Sequence, residues 1–106
     1  MGISHLTSPM PDSYQPKYTW KRTQIDEADP PTDFDWIGYE GKGAVGRVRK
    51  EMHGPTKGRW LWAGWYPRPF KGTPPTPNTG YAATCRLAMQ KCEEYWDRCK
   101  DVMKER

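Results

Sequence analysis

Apolar and polar positions along this chain follow two different periods. From residue 85 onward, apolar side chains recur in steps of three and four: Cys85, Ala88, Met89, Cys92, Trp96, Cys99 and Met103, with Tyr95 and Val102 widening the stripe. An α-helix turns once in about 3.6 residues, so these positions lie on one face of a helix over residues 84–104. Thr84 is suited to cap its N-terminus, because a hydroxyl can accept from a backbone N–H left free in the first turn. Arg86, Lys91, Glu94, Asp97, Arg98 and Asp101 occupy the rest of the surface, with Glu94 and Arg98 in the favourable i,i+4 order. Glu94, Asp97 and Asp101 are expected to be exposed.

Upstream, the period is two. Residues 59–66 hold three of the six tryptophans without a proline, which suits a pleated strand. Alternation puts Trp60, Trp62 and Tyr66 on one face and Leu61, Ala63 and Trp65 on the other. Residues 35–40 read as a first strand, 41–43 as a hairpin connection and 44–51 as the returning strand. Val45, Arg47, Arg49 and Glu51 then share one face. Ala44, Gly46 and Val48 share the other, which is the expected core side, with Gly46 letting a helix approach closely. The expected fold class is α+β: a small antiparallel three-stranded sheet packed by one C-terminal helix, in a single domain over residues 34–106. Residues 67–79 carry five prolines and read as a stiff connection over the sheet edge.

Residues 1–33 read as a Pro-rich acidic arm, since Pro9, Pro11, Pro16, Pro30 and Pro31 block continuous helix. Within it, residues 17–23 begin with alternating aromatic and polar side chains. Two readings stand: a disordered segment, or an edge strand added to this sheet or a neighbour's.

Composition adds a marginal core and an uneven charge. Of 106 residues, 35% are hydrophobic, against roughly 45–50% in ordinary globular chains. So small a core favours an oligomer, such as a homodimer, or a bound partner. Residues 1–40 hold 3 Lys/Arg against 7 Asp/Glu, whereas residues 41–106 hold 14 against 6. A basic module thus follows an acidic lead, and it can meet nucleic acid, an acidic protein surface or its own arm. No apolar run approaches the ~18 residues of a membrane span. No signal-peptide pattern opens the chain, and Leu6 stands where a myristoylation signal needs Ser or Thr. The expected setting is cytoplasmic, with no membrane.

Several chemistries are disfavoured by placement. Cys85, Cys92 and Cys99 are spaced by seven, so neighbours on a helix are about 10 Å apart along the axis. A disulfide needs Cα atoms within ~7 Å, and one zinc ion reaches sulfur at only ~2.3 Å. They read as small apolar residues in a packed seam. His5 and His53 are isolated, and every serine (Ser4, Ser8, Ser13) lies in the arm, which disfavours a Ser-His-Asp hydrolase. Asp33 and Asp35 are more simply strand-entrance carboxylates than an acid–base pair. The Gly-x-Gly-x-x-Gly at 41–46 precedes a strand, so it lacks the helix N-terminus a pyrophosphate needs. No catalytic residues, metal ligands or cofactor are expected.

A basic and aromatic surface remains. Arg47 and Arg49 project from one strand face. Lys50, Lys57, Arg59, Arg68 and Lys71 lie at nearby strand ends and loops, and Trp65 is a candidate neighbour. Cations beside exposed aromatics suit phosphates and stacked bases. These eight residues are the expected binding site, and the expected function is noncatalytic nucleic-acid binding. The alternative is a protein-interaction module, by analogy a phage or mobile-element inhibitor of a host-defence or nuclease complex, anchored through the same Trp and Arg side chains.

The order Val45-Gly46-Arg47-Val48, Trp60-x-Trp62, Gly80-Tyr81-Ala82-Ala83-Thr84, Ala88-Met89 and Trp96 resembles a group of short, uncharacterised bacterial proteins. Those carry a Gly-Arg strand, a Trp-x-Trp strand and a Gly-Tyr-x-x-Thr-Arg start to an Ala-rich helix. The likeness spans roughly residues 44–97. Cys85 stands where the group usually has Arg, and Cys92 about where it has Phe. The resemblance implies a sheet-plus-helix module and no particular activity.

Overall fold

The computed structural model describes residues 14–23 and 32–104. The expected arm's residues 1–13 and 24–31 lie outside the described residues. Six elements follow in chain order: β1 (Thr19–Arg22), β2 (Asp35–Glu40), β3 (Gly43–Lys50), β4 (Trp60–Gly64), β5 (Thr79–Ala82) and α1 (Cys85–Lys104). The architecture is α+β, with the strands forming one antiparallel sheet in the order β1-β2-β3-β4-β5 and α1 packed on one of its faces. No helix among the described residues is long and apolar enough to cross a membrane.

The helix forms as its pattern dictates. Thr84 Oγ1 accepts from the Leu87 amide at 3.1 Å, which satisfies a first-turn donor. The stripe of Ala88, Met89, Cys92, Tyr95, Trp96 and Cys99 is buried against Val45, Val48, Trp60, Trp62 and Ala82. Truncating either buried β4 tryptophan to alanine would cost about 3–5 kcal/mol. Helix and sheet come closest at Gly46, where an added Cβ would lie 2.8 Å from Cys92 Sγ and 2.6 Å from the Ala63 carbonyl oxygen. The expected role of Gly46 therefore has a specific neighbour, the Cys92 thiol.

Three expectations about the strands are corrected. The sheet has five strands, not three. β5 escapes a periodicity reading because it is four residues long and emerges from a Pro-rich stretch. It is held by register to β4 and by Thr79 Oγ1 donating to the Trp62 carbonyl at 2.8 Å. Val45 does not share a face with Arg47 and Arg49. The register steps from Gly38↔Gly46 to Tyr39↔Ala44 and leaves Val45 as the extra residue of a β-bulge, fully buried in the core. A bulge interrupts strict alternation, which is what the pattern reading assumed. Tyr66 does not join Trp60 and Trp62, because β4 ends at Gly64; Tyr66 is exposed and meets Phe70 edge-on at 5.6 Å.

Of the arm's two readings, the ordered one holds for residues 19–22, which pair with β2 of this sheet as β1. A buried carboxylate anchors this stretch. Glu93 on α1 is only 1% exposed. Its Oε1 accepts from the Tyr14 hydroxyl and from the Lys17 amide at 3.2 Å, and its Oε2 from the Tyr18 amide at 3.1 Å and Trp20 Nε1 at 2.9 Å. Four donors from one segment thus converge on one side chain, as burial of such a group requires. Asp97, expected to be exposed, is instead half-buried: it pairs with Lys17 and accepts the Tyr18 hydroxyl. Burial first, and the neighbouring Glu93 and Asp97 carboxylates second, raise the Tyr14 and Tyr18 hydroxyl pKa values above their usual range.

Candidate functional site

With α1 on one side of the sheet, no helix or strand among the described residues covers the opposite side. The register fixes its composition, because directly paired residues share a face. One row across the sheet is Ile37, Arg47, Ala63 and Thr79; the next is Asp35, Arg49, Leu61 and Tyr81. Lys21 and Tyr39 extend the face toward β1, with Lys21 Nζ 5.7 Å from the Tyr39 ring centroid. Trp65 follows β4, and its amide donates to the Val45 carbonyl at 3.0 Å. Trp65 and Tyr81 remain 36% and 47% exposed. Arg47, Arg49, Leu61, Ala63 and Trp65 line a shallow depression of about 280 Å³.

The two arginines are not equivalent. Arg47 makes a fork to Asp35, with Nε to Oδ1 at 2.8 Å and a terminal nitrogen to Oδ2 at 2.6 Å. Burial pulls the Asp35 carboxyl pKa upward, but the Arg47 bonds, Thr23 and the Arg47 and Arg49 charges together outweigh it and hold the group below the usual carboxylate range. Arg47 is therefore a fixed, internally neutralised part of the floor. Arg49 is half exposed, with only a loose 3.7 Å approach to Glu51.

Of the eight expected site residues, the structure brings Arg47, Arg49 and Trp65 together. Lys50 ends β3 apart from these three: it pairs with Trp60 on the helix side of the sheet, and its ammonium lies 5.3 Å from the Phe34 ring centroid. Lys57 and Arg59 lie in the exposed turns before β4, with Arg59 opposite Glu51 at the end beyond Arg49. Arg68 and Lys71 lie beyond the other end of β4, in the loop to β5. The site is thus a central strip with cations at both ends. Tyr81, Ile37, Tyr39 and Lys21 escaped the sequence reading, since placing them needs the two edge strands and their register.

The helix side holds a second set of polar contacts. Glu40 accepts from Trp96 Nε1 at 2.7 Å and from Lys100 Nζ at 2.9 and 3.0 Å. The bonds from Lys100, then Trp96, hold its carboxyl pKa below the usual value. Burial pushes the Cys85 thiol up to about 11 and the Cys92 thiol up to about 12. Both are poor nucleophiles at neutral pH, since the thiolate is the reactive form. Among the described residues, no three His, Cys, Asp or Glu side chains converge as a metal site would need.

Comparison with known proteins finds no family model, no curated protein and no solved structure that matches this chain.

Proposed function

We propose that this protein is a noncatalytic module that binds single-stranded nucleic acid across the open face of its sheet. One observation carries the reading: the only helix among the described elements covers one face, leaving Trp65 and Tyr81 exposed on the other, on the same face as Arg49. Aromatic rings on a sheet offer stacking surfaces to unpaired bases, and cations at the rim meet the phosphates. Lys21, Arg49 and Arg59 supply charge around the strip, while Asp35 neutralises Arg47 within it.

The test is fluorescence anisotropy with single-stranded and duplex probes over a range of salt. Affinity for the single strand should exceed that for the duplex and fall steeply with salt as counterions are released. Tyr81→Ala should weaken single-strand binding by about 1–3 kcal/mol, the scale of one stacked base. Arg49→Glu should weaken it and flatten the salt dependence. Arg47 is not the residue to reverse, because a carboxylate there would face Asp35. Absence of binding at about 50 mM salt, where phosphate contacts are strong, would sink the proposal.

A protein partner is the second reading, favoured by the Arg47–Asp35 fork. With that pair closed, the centre of the strip (Ile37, Leu61, Ala63) is more apolar than cationic. A protein surface with an apolar patch and acidic side chains at its rim would then be held by Arg49 and Trp65 as anchors.

A further inference from the structure

Beyond Trp65 the open face does not end in flat surface. The β2–β3 turn and the loop after β4 stand apart, and between them is a cleft of about 500 Å³. That volume falls in the range of small-ligand sites. Trp65 and Tyr66 contribute exposed aromatic surface, the buried Trp96 closes the bottom, and Lys42 and Arg68 line it from opposite loops. Trp65 also lines the depression on the sheet, so the two hollows share one residue as a wall.

The cleft is organised before any ligand arrives. Trp96 packs so closely beneath the β2–β3 turn that a Cβ added to Gly43 would lie 3.0 Å from its ring. Its indole N–H is held by Glu40, which Lys100 in turn holds, so the ring cannot turn freely and the Glu40 charge is already balanced. Some cations of this protein are neutralised internally, and the two that line the cleft are not. Lys17, Arg47 and Lys100 each have a carboxylate partner. Among the described residues, neither Lys42 nor Arg68 has a carboxylate within 4 Å. Two unneutralised cations flanking aromatic surface call for a ligand that is both flat and anionic. A nucleotide has both properties, with a base to stack and a phosphate to share between the cations. An acidic peptide supplies the charge without the stacking surface.

We propose that this cleft is a nucleotide subsite, with a base against the aromatic wall and its phosphate between Lys42 and Arg68. It continues the path of a single strand from Leu61 along β4, past Trp65 and off the sheet. The subsite deepens the reading of the open face and rests on it for the path. Its own chemistry is complete without the face, so it binds a ligand too short to reach Arg49.

The experiment uses two probes on the full chain: a 5′-phosphorylated thymidine dinucleotide, and an oligothymidylate of about 12 nucleotides, within the span of single-strand modules. Both are titrated by tryptophan fluorescence and calorimetry against the wild type, Lys42→Glu/Arg68→Glu and Arg49→Glu/Tyr81→Ala. Both charge reversals are at exposed positions, and circular dichroism and thermal melting verify that the fold is kept. The expected result is dinucleotide binding that Lys42→Glu/Arg68→Glu weakens about tenfold or more. For the longer probe, the same variant should lower the magnitude of the log–log salt slope by about 0.7, the share of one phosphate on a single strand. If the longer probe binds with unchanged affinity and slope in Lys42→Glu/Arg68→Glu, the subsite is overturned and the sheet reading stands. If the dinucleotide binds as expected but Arg49→Glu/Tyr81→Ala leaves the longer probe unaffected, the subsite stands and the sheet reading fails. If neither probe binds, both fail. If a Glu-rich peptide, titrated as a competing third ligand against the same variants, binds through Lys42 and Arg68 and the dinucleotide does not, the cleft takes carboxylates and the proposal is overturned.

Discussion

Replacing Glu93 by glutamine changes no volume, yet it should loosen one whole edge of the molecule. The carboxylate receives four donors, two on each oxygen. Glutamine presents one acceptor and one NH₂, so in either orientation two donors face another donor. Hydrogen bonds to a charged group contribute about 1.5–3 kcal/mol each, so two set an upper bound of about 3–6 kcal/mol. All four donors belong to residues 14–20, which can lift from the helix and regain water. Local opening of that kind limits the loss to about half the bound, or about 1.5–3 kcal/mol. With a urea m-value of about 1–3 kcal/mol/M for a chain this size, the midpoint should fall by about 0.5–3 M. Hydrogen exchange supplies the local readout: the Lys17 and Tyr18 amides, which donate to Glu93 in the native protein, should lose protection before the amides of β3 and β4. Glu94→Gln is the control, because Glu94 is exposed and should change stability by no more than about 0.5 kcal/mol. A Glu93→Gln protein with an unchanged midpoint and unchanged exchange at Lys17 and Tyr18 would refute the assignment of Glu93 as the arm's anchor.

Two further outcomes follow from the titrating groups. Cys92 and Cys99 are buried and Cys85 is half-buried, with the thiols of Cys85 and Cys92 pushed up to about 11 and about 12; a thiol reagent near pH 8 should therefore react slowly with native protein and rapidly with three thiols in denaturant, and fast native reaction would contradict the packed seam. The Asp35 and Glu40 carboxyls are held below their ordinary values in the folded protein, so their stabilisation is present above the unfolded value of about 4 and is lost as pH falls through the lower folded values. Urea midpoints should decline below about pH 4, and Asp35→Asn should remove part of that decline; an equal decline in Asp35→Asn would show that the Arg47 fork contributes nothing to it.

Where a regular pattern ran long enough, local order was readable from residues alone. The stripe from Cys85 to Met103 repeats over five turns, and it locates α1 and the Thr84 cap. The Trp-rich stretch and the glycine-punctuated hairpin locate β2, β3 and β4 to within about two residues. Gly46 could be read as the point of close approach because a glycine inside a strand has few other uses. At the site, alternation alone puts Arg47 with Arg49 and Leu61 with Trp65, whereas the β3–β4 register puts the two pairs on one face.

Tertiary structure decided what depends on partners distant in sequence. β1 and β5 are four residues each, too short for a period to show, and they exist as strands through their pairing with β2 and β4. The bulge at Val45 breaks the alternation that placed it beside Arg47. Glu93 reads as an ordinary charged helix residue until Tyr14, Lys17, Tyr18 and Trp20, more than 70 positions away, surround it. The same is true of the arginines, since nothing local separates Arg47 from Arg49 and only the diagonal position of Asp35 closes one into a fork. Periodicity records which face a residue occupies, because that is set by bond geometry within one element. Whether a charge on that face stays available is set by which carboxylate the fold brings within about 3 Å, and that distance is a property of the assembled sheet.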